Sequence, residues 1–161
     1  MKSRLDRKGQ SIVELTLITP ILLVALYVPF DFGVSLYAGY LTQNVARDSA
    51  RRASTTDVMT SAKATTLATQ MAAFLPDLLV SGSTTKRVTV NYYATGANCL
   101  QSVEVIAQGT YSFFWYRLIG LLGLAPPNQL GIVRTTKMRY EFQPDSNSAA
   151  CSTTATATGH S

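Results

Sequence analysis

Residues 8–31 read KGQSIVELTLITPILLVALYVPFD, an apolar run that begins directly after a basic leader. The run has no charged residue between Glu14 and Asp31. At the helical rise these two carboxylates would lie about 25 Å apart, close to the thickness of the hydrocarbon core of a bilayer. The stretch therefore predicts a membrane helix, with Asp31 as the charge at its outer interface.

The leader, residues 1–9, carries most of the excess positive charge of the chain. It holds Lys2, Arg4, Arg7 and Lys8 with a single aspartate, whereas all 161 residues together have a net charge of +5. Lysines and arginines beside a first membrane helix are retained in the cytoplasm. We therefore expect a cytoplasmic N-terminus, a membrane-spanning helix and a C-terminal part outside the cytoplasm.

A cleaved secretory signal is the alternative interpretation of the same run, with the small residues GVS at 33–35 as its cleavage site. Its apolar region would be long and would contain Glu14, Pro20 and Pro29. A retained membrane anchor is therefore favoured. The two prolines predict that the helix bends or loosens locally.

Glu14 lies near the cytoplasmic end of the apolar run, where an unpaired carboxylate is costly and needs either a headgroup position or a specific cation. Cleavage of the chain after Gly9 would supply a cation. The new amino group of Gln10 would lie about one helical turn from Glu14 of the same chain, or close to that of a packed neighbour.

This arrangement resembles the class III signal of type IV prepilins, in which a peptidase cuts after glycine and the fifth mature residue is glutamate. Further segments are similar to the N-terminal signature of TadE-like pseudopilins: QSIVEL (10–15), TP (19–20), FDFG (30–33), LY (36–37) and QNVARDSAR (43–51). The segment TKMRYE (136–141) is similar to the end of that family's soluble domain.

The resemblance implies a minor pilin or pseudopilin that primes or caps a Tad (Flp) type IV pilus. It also implies the partners: prepilin peptidase, other pilins and pseudopilins, and Tad inner-membrane assembly proteins. Two alternatives stay open. One is an uncleaved, membrane-anchored assembly scaffold, and the other is an adhesive or DNA-capturing tip subunit.

Beyond Asp31 the helix is expected to continue to about residue 54, with Arg47, Arg51 and Arg52 near its end. Cations suit a helix C-terminus, so a solvated helix end is the simplest interpretation. The alternative is an interaction cluster for lipid phosphates or an acidic partner.

The rest of the chain predicts an α+β, pilin-like domain. N-cap residue types at 54–57 precede a helical repeat of apolar residues, which predicts a second, amphipathic helix. From Arg87 the apolar period changes to two, with strands at 88–93, 102–109 and 132–142. A helix across a small antiparallel sheet of about three strands follows. The apolar stripe of the helix is Leu67, Met71, Phe74, Leu75 and Leu78.

An apolar segment that is too short to span a bilayer opens with Phe113, Phe114, Trp115 and Tyr116. Its simplest role is to fold over the sheet and complete a small core. The alternative is an exposed apolar contact for a partner subunit or for the membrane surface.

Cys99 and Cys151 both belong to the part placed outside the cytoplasm, where thiols can be oxidised. A disulfide between them is the economical prediction, and two unpaired thiols are the alternative. The Ser/Thr/Ala-rich tail has no periodicity, so we expect it to be mobile beyond Cys151.

The residue inventory argues against an enzyme. The single histidine, His160, lies next to the last residue, which excludes a histidine-based triad or a multi-histidine metal site in one chain. We expect no cofactor and no metal, and the modest charge outside the leader argues against nucleic acid as a partner. The predicted division is a leader (1–9), a transmembrane and extended helix (10–54), a periplasmic α+β domain (55–143) and a tail (144–161).

Overall fold

The computed structural model describes residues 4–56, 61–80, 86–95, 100–114, 123, 128–141 and 155–160. Two helices precede four strands: α1 (Arg4–Thr55), α2 (Ser61–Ala72), β1 (Arg87–Thr95), β2 (Leu100–Ser112), β3 (Gln129–Arg139) and β4 (Ala155–His160). The strands form one sheet in the order β3-β2-β1-β4, and every neighbouring pair is antiparallel. The α+β prediction is confirmed.

Helix α1 has an uncovered half and a packed half. Residues 9–26 are all exposed, and α1 stays helical through Pro20 and Pro29. From Asp31 onward one face lies against the sheet, and its buried residues are small or short: Asp31, Ser35, Ala38, Thr42, Ala46, Ser49, Ala50 and Ala53. They recur at spacings of mostly three and four, as one face of a helix requires. Small side chains at these positions let the helix backbone approach the sheet closely.

The core lies between the sheet and the two helices. Strand β1 contributes Val88, Val90 and Tyr92, and β2 contributes Val103, Val105 and Ala107. These residues alternate with less buried ones, so the predicted period of two is confirmed for both strands.

The predicted number of strands was too small. The tail supplies a fourth strand, β4, which pairs with β1 through Val88↔Gly159 and Val90↔Ala157. The expected mobility beyond Cys151 is therefore wrong for residues 155–160. The inward-facing residues of β4 are small because α2 lies directly on it, and a Cβ at Gly159 would collide with the backbone of Ala68. Without large apolar side chains, β4 has no hydrophobic period to detect.

The predicted second helix exists, but its apolar stripe is partly wrong. Met71 and Leu75 are buried and Leu67 packs against the core, whereas Phe74 and Leu78 are exposed. Helix α2 ends at Ala72, so Phe74 and Leu78 lie beyond the helix and do not continue its buried face. Alanines at 64, 68 and 72 complete the buried side.

The residues predicted to cap the start of α2 instead end α1. The hydroxyl of Ser54 donates to the carbonyl of Arg51 at 2.8 Å, and that of Thr56 donates to the carbonyl of Arg52 at 2.6 Å. Both hydroxyls therefore bond back to the preceding helical turn, which is the alternative that serine and threonine offer to capping.

Candidate functional site

The point at which α1 leaves the domain is organised around Asp31. This carboxylate is only 3% exposed, and the hydroxyl of Tyr111 donates a hydrogen bond of 2.7 Å to its Oδ1. Phe113 stacks its ring edge-on to Tyr111, with centroids 5.3 Å apart, and lies 5.4 Å from the ring of Phe32. We call Asp31, Phe32, Tyr111 and Phe113 the junction.

The junction changes the ionisation of its tyrosine. Burial raises the pKa of Tyr111 to about 12. The hydrogen bond to Asp31 and the negative charge of Asp31 contribute to this increase. Asp31 was predicted from sequence as an interface charge, and the structure adds a buried partner from β2. Tyr111 was missed, although it continues the inward alternation of Val103, Val105 and Ala107.

At the other end of the apolar run, Gln10 and Glu14 lie one helical turn apart, as their spacing predicts. The side-chain amide of Gln10 donates to Oε1 of Glu14 at 3.1 Å, and both residues are exposed. Nothing lies within 4 Å of the position that a Cβ would take at Gly9. The described helix begins at Arg4 and runs through the Gly9–Gln10 bond.

The three arginines near the end of α1 have different surroundings. Arg47 and Arg51 are exposed. Arg52 forms an ion pair with Asp48 (2.9 Å from Nε to Oδ2) and lies over the ring of Phe74, 5.2 Å from its centroid. Arg52 and Phe74 border an apolar cleft of about 220 Å³ between α1 and α2. Arg52 therefore links α1 to the turn that follows α2, whereas Arg47 and Arg51 are exposed.

The C-terminal carbonyls of α1 are satisfied by the sheet. The hydroxyls of Tyr92 and Tyr140 donate to the carbonyls of Ala53 (3.3 Å) and Thr56 (3.1 Å). The backbone N–H of Glu141 donates to the carbonyl of Ser54 (3.0 Å). These carbonyls lack partners within the helix, so the bonds cap the helix end and tie it to the domain.

This capping explains why β3 ends earlier than predicted. Tyr140 and Glu141 were expected to continue the strand, but they leave it at Arg139 to reach the end of α1. Both belong to the segment TKMRYE that carries the C-terminal resemblance. Burial and the neighbouring Tyr140 raise the pKa of Tyr92 to about 12.

The first two residues of the apolar segment after β2 fit different interpretations: one belongs to the core, and the other is exposed. Phe113 is 5% exposed and belongs to the core, whereas Phe114 is 67% exposed. Trp115 and Tyr116 lie outside the described residues. Cys99 and Cys151 also lie outside them, so their disulfide stays a prediction.

Among the described residues, one helix is long and apolar enough to cross a membrane, and it is the exposed N-terminal half of α1 that provides the apolar stretch. A long apolar helix that continues into an α+β domain is the arrangement typical of pilin-like proteins with a membrane anchor.

Comparison with protein families narrows this class. Residues 9–51 match the model of the TadE-like protein family, so the N-terminal segment of the chain is similar to that of TadE-like proteins. The match covers most of α1 and ends before α2 and the sheet. No curated protein and no solved structure matches the chain. The TadE-like family is a structural family of pilus components.

Proposed function

We propose that this protein is a minor pilin or pseudopilin that primes or caps assembly of a Tad (Flp) type IV pilus. In this proposal residues 1–9 are a cytoplasmic leader, which prepilin peptidase removes after Gly9. Residues 10–54 form the inner-membrane anchor and its extension, and the domain of residues 55–143 with the tail of 144–161 faces the periplasm.

The family match over residues 9–51 carries this proposal, and the uncovered half of α1 supports it. Eighteen consecutive residues, 9–26, expose their side chains, most of them aliphatic. Such a surface needs lipid or the helices of other subunits to cover it. A helix that can exchange lipid for neighbouring helices is what a subunit needs to move from a membrane into a filament.

Glu14 has the position required for pairing between subunits. It is exposed on the uncovered half of α1, and in the uncleaved chain the side chain of Gln10 is its hydrogen-bond donor. Cleavage would place a charged amino group on the same residue. Glu14 of one subunit would then pair with the N-terminus of its neighbour, which fixes the register of their helices and neutralises both charges.

Hydrogen bonds between the domain and α1 at two places along the helix support a role as an end piece of the filament. Tyr92, Tyr140 and Glu141 bond the end of α1, while Tyr111 bonds Asp31 more than twenty residues earlier along the helix. The sheet therefore holds α1 at both ends of its packed half. A subunit whose helix and domain move together can transmit its helix register to the surface that meets the next subunit.

The decisive experiment is the intact mass and N-terminal peptide of the protein isolated from membranes, with and without its prepilin peptidase. A mature chain that starts at Gln10 only when the peptidase is present is the expected result. A chain that retains residues 1–9 under both conditions would contradict processing and would favour the anchored scaffold. A start near residue 36 would identify an ordinary secreted domain.

A further inference from the structure

The edge of the domain nearest the membrane helix is marked by the junction. Tyr111 contacts Asp31, and Phe113 contacts Phe32. These contacts place the end of β2 beside the turn of α1 at which the domain begins to cover the helix. One turn nearer the N-terminus, Tyr27 and Val28 are half-buried, and every residue from 9 to 26 is exposed. The end of β2 therefore lies where α1 passes from domain to apolar anchor.

Exposed aromatic side chains surround this point. Phe30 is 64% exposed, Phe32 is 46% exposed and Phe114 is 67% exposed. Asp31 faces the domain, so Phe30 and Phe32 flank that contact, each rotated by about 100° around the helix axis. Phe114 directly follows the buried Phe113 at the end of β2. Three exposed phenylalanines therefore border this edge of the domain: Phe30 and Phe32 on two sides of α1, and Phe114 at the end of β2.

We propose that Phe30, Phe32 and Phe114 form a membrane-contact patch, which seats the domain on the outer headgroup region of the bilayer. The proposal rests on the proposed function in one respect, namely that α1 crosses the membrane. If it does, lipid is the permanent neighbour of this edge, because the patch is continuous with the apolar surface of the anchor. Phenylalanine is one of the side chains with which interfacial helices insert at this depth of a bilayer.

Seating the domain in this way would set its orientation. The junction holds the end of β2 against α1 through a hydrogen bond of 2.7 Å, and the patch would hold the same edge on lipid. The far end of α1, where Tyr92 and Tyr140 cap the helix, would then point away from the membrane. Extraction of the subunit into a filament would have to release this lipid contact.

Trp115 is the only tryptophan of the chain and follows Phe114 directly, which makes it a built-in probe. The full chain is reconstituted in vesicles of phosphatidylcholine and phosphatidylglycerol whose acyl chains are brominated near the headgroup. We expect strong quenching of Trp115 fluorescence by the brominated lipid and little quenching by aqueous iodide. Phe114→Ser should lose most of the lipid quenching and gain quenching by iodide.

Phe74→Ser is the matched control. Phe74 is 60% exposed, similar to Phe114, but it lies beside Arg52 near the membrane-distal end of α1. It should leave both kinds of quenching unchanged. Equal effects of the two substitutions would show a general loosening of the domain and would overturn the patch.

Two further results would overturn the proposal. Access of iodide without lipid quenching would place Trp115 in water, and protection from both quenchers would place it under protein. Extraction of the vesicles with alkaline carbonate separates this failure from that of the proposed function. Protein that resists extraction but shows no lipid quenching has an anchor without the patch, whereas protein that is extracted has no transmembrane anchor.

Discussion

The hydroxyl of Tyr111 donates a hydrogen bond of 2.7 Å to the carboxylate of Asp31, although the two residues lie 80 positions apart in the chain. Asp31 is 3% exposed and Tyr111 is 6% exposed, so water has little access to this pair. A hydrogen bond to a charged group contributes more than one between neutral groups, and more still when water cannot replace it. The pair therefore fixes the domain to α1 where the anchor begins.

Tyr111→Phe removes the donor and keeps the ring against Phe113. We expect the domain to lose about 1 to 3 kcal/mol of unfolding free energy, since a buried charged acceptor loses a hydrogen bond. Urea unfolding of the full chain in detergent, followed by near-ultraviolet circular dichroism, measures this loss.

Tyr93→Phe is the control for the Tyr111 substitution. The hydroxyl of Tyr93 also donates to a carboxylate, that of Glu104, at 2.9 Å, but on the outer face of the sheet. Water can replace this partner, so we expect a change within about 0.5 kcal/mol. Equal losses for the two variants would show that burial does not strengthen the bond to Asp31.

Two of the buried tyrosines, Tyr92 and Tyr111, predict a loss of stability at alkaline pH. Tyr92 and Tyr111 have pKa values raised from 10.0 to about 12, in both cases mainly by burial. A raised pKa means that the folded state holds the proton more tightly than the unfolded state. The resulting stability is present below pH 10 and is lost as the pH rises towards 12.

An ultraviolet absorbance titration of the phenols measures this effect. Tyr92 and Tyr111 should ionise later than the exposed tyrosines, and Tyr92→Phe or Tyr111→Phe should each remove one late step. Folding is monitored at each pH by circular dichroism. Ionisation of every tyrosine near pH 10 while the protein is still folded would contradict the prediction.

Local periodicity predicted much of the fold. The apolar run indicated the membrane-type helix, and alternation in Val88, Val90 and Tyr92 indicated a strand. Strand β4 was missed because its buried residues, Ala157 and Gly159, are small, and at Gly159 the backbone of α2 leaves no room for a side chain. A strand made of such small residues has the same composition as a flexible tail.

The candidate site was predictable only where its contacts are local. The four-residue spacing of Gln10 and Glu14 places them on one helix face, and the structure brings their side chains to 3.1 Å. The partner of Asp31 could not be read in this way, because Tyr111 reaches it through the pairing of β2 within the sheet. The same holds for Tyr92 and Tyr140, which meet the end of α1 only after the domain has folded.

The close approach of α2 to β4 predicts an asymmetry between two glycines. Gly159→Ala would drive a methyl group into the backbone of Ala68 and Thr69, so we expect a loss of about 1 to 3 kcal/mol. Gly131→Ala on β3 has nothing within 4 Å of the added carbon and should be nearly neutral. Thermal unfolding of both variants compares them. Similar unfolding temperatures would contradict the packing of α2 on β4.

The pairing proposed for Glu14 predicts that its charge is needed for assembly but not for insertion in the membrane. Glu14→Gln retains hydrogen bonding and loses the charge, so the chain should accumulate in membranes and be depleted from sheared pili. Gln10→Ala removes the amide that donates to Glu14 but leaves the amino group that cleavage would create, so it should assemble nearly as the parent does. Immunoblots of pilus and membrane fractions measure both variants. Normal incorporation of Glu14→Gln would exclude a charge pair. An equal defect in both variants would mean that assembly requires the side-chain hydrogen bond rather than the N-terminal charge.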